Sequence, residues 1–168
     1  MFDKYGEFGS ADELNMAAEG FAGEGDIEAI FSLAEENGID KEDAQDYIDG
    51  MKGDLANEYE AALGRLKVQA KEAPPVLLDI AAELCDGDHD FCRAVMAKGM
   101  RVNLAFRALW EAAQKEARKR HPRGNVRVSA CETDRDKERL LKGYFLKPAE
   151  EFERVVREMV EGGVYESF

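Results

Sequence analysis

Long apolar runs are missing from this chain of 168 residues, whose longest stretches, such as Val76-Leu77-Leu78, fall far short of the ~20 residues a spanning helix needs. The start Met1-Phe2-Asp3-Lys4-Tyr5-Gly6-Glu7 carries neither the basic n-region nor the apolar h-region of a secretory signal. Both absences predict a soluble, cytoplasmic protein with no membrane partner. Cysteine is scarce as well: Cys85, Cys92 and Cys131 are an odd number at unrelated spacings, so they make no disulfide framework and suit a reducing compartment. Only His89 and His121 supply imidazole, and no serine or cysteine stands in a nucleophile-elbow context. A His-dependent triad would need one of these two loop histidines in the right place, so no enzymatic activity is expected. Prolines number 4, no Ser/Gly/Pro-rich linker separates two cores, and no period of roughly 20–50 residues repeats. What is present is 45% hydrophobic and 35% charged residues. That suffices for one domain burying ~70% of its unfolded surface and excludes a largely disordered chain.

Positive charge is nearly absent from the N-terminal part. Residues 1–60 hold 18 Asp/Glu against 3 Lys/Arg, a balance of −15, whereas residues 61–168 hold 18 against 20, or +2. The formal net charge of −13 is therefore almost wholly N-terminal. From Lys98 to Lys142 the balance reverses to +7, with 13 Lys/Arg against 6 Asp/Glu, and Arg118-Lys119-Arg120 with Arg123 is the densest cluster. An acidic lobe attracts basic protein surfaces and repels phosphate, a basic segment does the reverse, and both are screened over a Debye length of ~8 Å. The plainer role for such faces is to solvate helices.

Helical signals dominate. Ser10-x-x-Glu13 has the form of a capping box and precedes Leu14, Ala17, Ala18 and Phe21, with Gly20, Gly23 and Gly25 expected to end that helix. Asp26 caps a second helix through Ile27, Ile30, Phe31 and Ala34, leaving by Asn37-Gly38, and Ile39-Asp40 opens a third on which Ala44, Tyr47, Ile48 and Met51 face one way. Residues 26–50 thus predict a helical hairpin whose outer face is nearly all carboxylate. From Asp54 to Glu72, Leu55, Tyr59, Ala62, Leu63, Leu66 and Ala70 trace a long amphipathic helix stopped by Pro74-Pro75. Pro75 starts the next, with Leu77, Ile80, Ala81 and Leu84, and beyond the turn Asp86-Gly87-Asp88 a short helix holds Phe91, Val95 and Met96.

Arg101–Arg120 predicts the longest helix, with Phe106, Leu109, Trp110, Ala113 and Ala117 on its core face. Val126 and Val128 alternate with Arg127 and Ser129, so one short extended segment near residues 125–131 is expected, without an evident partner. Thr133-x-x-Asp136 caps a helix with Leu140, Leu141, Tyr144 and Phe145, and Pro148 starts a last one with Phe152, Val155, Val156, Met159 and Val160. The expected fold is all-α, a single domain of about eight or nine short helices. A subdomain seam at 73–76 would divide an acidic lobe, 1–73, from a mixed-charge lobe, 76–168.

Few motifs carry chemistry. Cys85-x3-His89-x2-Cys92, interleaved with Asp86, Asp88 and Asp90, gathers metal-ligand types, but zinc sites take paired ligands from two places. It reads as a turn with helix-capping aspartates, and no metal or other cofactor is expected. A calcium loop fails because Phe91 stands where glycine is required and Ala97 where the bidentate glutamate belongs. Gly20-x-x-Gly23-x-Gly25 follows no strand, and Glu19, Glu24 and Asp26 would repel a phosphate. Two charged surfaces remain. Glu35, Glu36, Asp40, Glu42, Asp43, Asp46, Asp49 and Asp54 put a phosphate-like row on a short hairpin, suited to a basic channel of another protein. Arg118, Lys119, Arg120, Arg123 and Arg127 suit tracking a nucleic-acid backbone.

The opening Met1-Phe2-Asp3-Lys4-Tyr5-Gly6-Glu7-Phe8, the run Glu13-Leu14-Asn15-Met16-Ala17-Ala18-Glu19-Gly20 and the run Ala34-Glu35-Glu36-Asn37-Gly38-Ile39-Asp40-Lys41-Glu42-Asp43-Ala44 resemble small acidic proteins of Firmicutes mobile elements. Phe91-Cys92-Arg93-Ala94-Val95 extends that likeness. The C-terminal half has a helix ending in basic residues, a short Val-rich step and a helix ending Gly143-Tyr144-Phe145-Leu146, and is loosely similar to the PcfK-like family of conjugative plasmids and phages. It keeps only Cys131 of that family's Cys-rich patch. Some relatives of this broader group are anti-CRISPR proteins that inhibit the RNA-guided nuclease of type II systems, and no catalytic motif travels with the resemblance.

The resemblance therefore implies a non-enzymatic inhibitor in the cytoplasm of a bacterial host, whose partner is a CRISPR effector nuclease or its ribonucleoprotein complex. The charge layout adds the acidic hairpin as the contact. The rival expectation is a nucleic-acid-binding accessory or regulatory protein of a plasmid or phage, using the basic 118–127 segment. A third combines the two, with the acidic lobe on protein and the basic segment on nucleic acid. The oligomeric state stays open.

Overall fold

Caps and apolar stripes set where the helices begin and which side they bury. In the computed structural model, which describes residues 2–122, 124 and 126–167, the described residues form nine helices and one two-stranded antiparallel sheet, so the fold is all-α. They divide into two units, one of residues up to 71 with 82–100 and one of 72–81 with residues from 101 on. Among the described residues no helix is long and apolar enough to cross a membrane.

The first unit holds α1 (Ala11–Glu24), α2 (Ile27–Glu36), α3 (Lys41–Ile48), α4 (Glu58–Val68) and α6 (His89–Met96). The intervening α5 (Pro75–Cys85) passes from the second unit to the first after Ala81. Ser10 caps α1 by accepting the Glu13 N–H at 3.1 Å, while the Glu13 carboxylate reaches one residue past the usual place and accepts the Gly9 N–H at 2.8 Å. That N–H, and then Lys98, hold the Glu13 carboxyl below its ordinary pKa.

Gly20 and Gly23 lie inside α1 and do not end it; only Gly25, with φ +73, terminates the helix. Burial of Leu14 and Ala18 outweighs the roughly 1 kcal/mol that an internal glycine costs. Asp26 caps α2, and the chain leaves through Gly38 at φ +71 with Ile39 N–H bonding Ala34 C=O at 2.9 Å. Here the backbones of Gly38 and Gly64 touch, leaving no room for a Cβ on either.

Further expectations in this unit are corrected. The fourth helix does not begin near Asp54, because Asn57 and Glu60 form a reciprocal capping box that starts it at Glu58. Its Tyr59 is exposed, and it stops at Val68, short of the prolines. Met51 does not share the α3 stripe, since the chain turns at Gly50, φ +74, and leaves Met51 80% exposed. Arg65 of α4, only 1% exposed, pairs with Glu7, donates to the Phe8 carbonyl and lies 4.4 Å from the Phe2 ring, tying the N-terminal segment to the unit.

The second unit holds α7 (Val102–Arg120), β1 (Val126–Ser129), α8 (Asp134–Leu146), α9 (Ala149–Glu161) and β2 (Val164–Ser167). Its core joins Ala105, Leu109 and Ala113 to Leu140, Val156, Met159 and Val160. A reciprocal Thr133–Asp136 box starts α8, and Gly143 allows α9 to approach, its side facing Phe152 and Val155. The expected extended segment is present and has a partner: β1 pairs with β2, Val126 opposite Ser167 through Ser129 opposite Val164. Tyr165 of β2 donates its hydroxyl to Val160 C=O at 2.9 Å and stacks under Arg120 at 4.3 Å.

The core face of α7 also differs from expectation. Val102, Ala105, Leu109, Ala113 and Ala117 are buried, whereas Phe106 and Trp110 are 40% and 54% exposed. Alanines let α8 and α9 pack close to α7, and that contact rotates the aromatic pair outward.

Candidate functional site

The α2–α3 hairpin exists because Asp26 starts one helix, Gly38 turns the chain and Ala44 anchors the second in the core. Its eight candidate carboxylates fall into two groups. Glu36 is half-buried and accepts N–H bonds from Lys4 at 3.1 and 3.2 Å and from Tyr5 at 3.1 Å. Asp40 is ion-paired with Lys67. Asp43 pairs at 3.0 Å with Lys52, which also meets Glu60 at 3.0 Å. Burial opposes the Lys52 charge, yet hydrogen bonds to Asp43 and Glu60 outweigh it and raise the Lys52 pKa. Glu36, Asp40 and Asp43 thus already serve the fold.

Glu35, Glu42, Asp46, Asp49 and Asp54 are exposed, and none of them has an ion pair within the described residues; Asp49 only accepts from Gln45 at 2.9 Å. The phenol pKa of Tyr47 is raised by burial first and then by Glu19 and Asp54. Beside Glu35 lies an open depression of about 570 Å³, floored by Phe31, Ala34 and Ile39. Its rim of Glu35, Asp40, Lys41 and Lys67 balances charge, and Lys41 sits 5.6 Å over the Phe31 ring.

The basic candidates are less assembled. Lys119 and Arg120 both bind Glu116, at 3.3 and 3.0 Å, and these bonds, Arg120 first, hold its carboxyl below the ordinary range. Arg120 is further held on Tyr165. Arg118 and Arg127 are exposed, and Arg123 lies outside the described residues. A second cationic surface went unseen in the sequence: Arg135, Arg139, Lys142 and Lys147 border an open depression of about 650 Å³ with Gly143 and Val155. Interleaved acids hid it, and they also balance it, through Arg139 to Glu158, Lys142 to Glu138 at 3.7 Å and Lys147 to Glu151 at 4.0 Å.

Cys85, His89 and Cys92 do not converge. Both thiols are buried, Cys92 donating to Cys85 C=O at 3.3 Å, while His89 is exposed and meets Glu58 at 3.0 Å. Burial pushes both thiol pKa values up, disfavouring the thiolate that a metal or an electrophile would need. Asp88 caps α6 by accepting the Phe91 N–H at 3.0 Å, the structural role expected of it. Among the described residues no group of three His, Cys, Asp or Glu side chains is placed to hold a metal ion.

No family model, curated protein or solved structure matches this chain. The functional reading therefore rests on the surfaces just described and on the sequence resemblance.

Proposed function

We propose that the protein is a non-enzymatic interaction protein of a mobile element that inhibits a type II RNA-guided nuclease by docking its acidic hairpin on a basic, nucleic-acid-binding surface of the enzyme. The observation that carries this reading is the set of exposed carboxylates without ion pairs, Glu35, Glu42, Asp46, Asp49 and Asp54, on two adjacent helices and the loop after them. Carboxylates on a preformed scaffold keep their charge free for a partner and lose little conformational entropy on docking. The choice of nuclease comes from the resemblance to the broader mobile-element group.

The test is cleavage of target DNA by a purified type II effector with its guide, with the protein added before or after guide loading. Inhibition is expected, together with weakening as salt rises. The triple reversal Glu42→Lys, Asp46→Lys, Asp49→Lys should raise the inhibitory concentration about tenfold or more. Reversal of Glu132, Glu153 and Glu161, exposed in the other unit, should change it little. Asp43 is left out because its reversal would also break its ion pair with Lys52 and set two cations together. Equal inhibition by both triple variants would overturn the acidic-contact reading, and no inhibition at large excess would overturn the nuclease assignment.

A further inference from the structure

We infer that the exposed side of α7 is a binding surface for single-stranded nucleic acid, built on Phe106 and Trp110 and flanked by Arg107 and Arg118. At 100° per residue, Phe106, Trp110, Gln114, Arg107 and Arg118 fall within an arc of about 120° that overlaps the edge of the buried stripe, where Ala117 lies between the two aromatic positions. In a chain with 36 Asp and Glu, that arc contains no carboxylate. Glu111 stands at its edge and holds Arg107 at 2.7 Å, which orients the guanidinium along the helix.

Neither aromatic ring belongs to the core cluster that α7 makes with α8 and α9. Val102, Ala105, Leu109, Ala113 and Ala117 make the α7 side of the packing, and Trp110 remains 54% exposed and Phe106 40%. Large aromatics left in water forfeit burial that a fold would otherwise use, so their placement points to a ligand with flat apolar faces. Residues four apart stand about 6 Å apart along the axis, a spacing at which neighbouring unpaired bases of one strand can stack on each ring. Arg107 and Arg118 lie about 16 Å apart along the same side and suit phosphates on either end of that stretch. A second copy of the chain fits poorly, because apposing this side with itself would bring guanidinium groups together. The acidic hairpin belongs to the other unit, and the α7 surface does not depend on the function proposed above.

Trp110 is the one tryptophan of the chain, so intrinsic emission reports from the middle of this surface. The full-length protein is titrated at low salt with oligothymidylate and oligouridylate, with polyglutamate as a non-stacking polyanion. Saturable quenching by the oligonucleotides is expected, absent with polyglutamate, with a salt slope near −1.4, about −0.7 for each of two phosphate contacts. In fluorescence anisotropy with a dye-labelled oligonucleotide, Trp110→Ala should bind about tenfold or more weakly. Arg107→Gln with Arg118→Gln should flatten the salt slope while quenching persists at high oligonucleotide. Trp110→Phe should retain binding. Far-UV circular dichroism of each variant checks that α7 is intact.

Unchanged emission and anisotropy at low salt would overturn the proposal. So would equal quenching by polyglutamate, which would indicate an acidic polypeptide partner. An emission shift that tracks protein concentration, with a change in elution volume abolished by Trp110→Ala, would indicate self-association and overturn it too.

Discussion

A methyl group added at Gly20 meets nothing within 4 Å, whereas at Gly38 it runs into the Gly64 backbone and at Gly64 into the Asn37 carbonyl. One substitution therefore has opposite signs within one unit. Gly20→Ala is expected to stabilise by about 0.5–1 kcal/mol, because it restricts only the unfolded chain and the helix interior is open. Gly38→Ala should destabilise by about 2–4 kcal/mol, since φ +71 strains an L residue and the neighbouring backbone leaves no space. Urea melts of the two variants check both signs. The sequence marked Gly38 correctly as a helix exit, because Asn-Gly after an apolar stripe is a local signal. It misjudged Gly20 and Gly23, because whether a glycine bends a helix depends on what packs around it.

Helix starts were legible wherever the cap is local: Ser10, Asp26 and Thr133 each accept the backbone N–H three residues on. The Asn57-x-x-Glu60 box was equally visible and would have placed the start of α4 correctly. Two features could not be read along the chain. The partner of β1 lies beyond two intervening helices. On α7, two adjacent arcs both look apolar, and periodicity alone does not say that the alanine arc packs while the aromatic one faces out.

Between elements, Glu58 at the start of α4 binds Arg93 at 2.8 Å and His89 at 3.0 Å on α6, and these bonds, Arg93 first, hold its carboxyl below the ordinary 4.5. A depressed carboxyl contributes stability that is fully present above its unfolded value and is lost as pH falls through the lower folded value. Stability should therefore decline below about pH 4.5, and Glu58→Gln should shallow that decline, as read by melting temperature against pH.

For the molecule as a whole, charge layout was legible because it needs only counting, and the exposed part of the acidic face follows from it. Counting did not show that Asp40 and Asp43 are engaged, since Lys67 stands 27 residues from the first and Lys52 nine from the second. Nor does counting show that the two units interleave. Residues 72–81, with buried Leu77, Ile80 and Ala81, belong with the later unit although they interrupt the earlier one. A fragment of residues 1–100 contains every piece of the first unit, whereas 101–168 lacks a piece of the second. The first fragment should show a cooperative urea transition and 101–168 should not, while 72–168 should regain one, as followed by circular dichroism.

The same interleaving bears on how the protein is made. α4 packs chiefly on α6, yet a ribosome delivers the foreign stretch 72–81 before it delivers α6. At about 5–20 residues per second, the nascent first unit waits roughly 1.5–6 s with the α6-facing side of α4 uncovered. During that interval a chaperone that holds emerging apolar helices has its opening, and slowing translation after residue 71 would lengthen it.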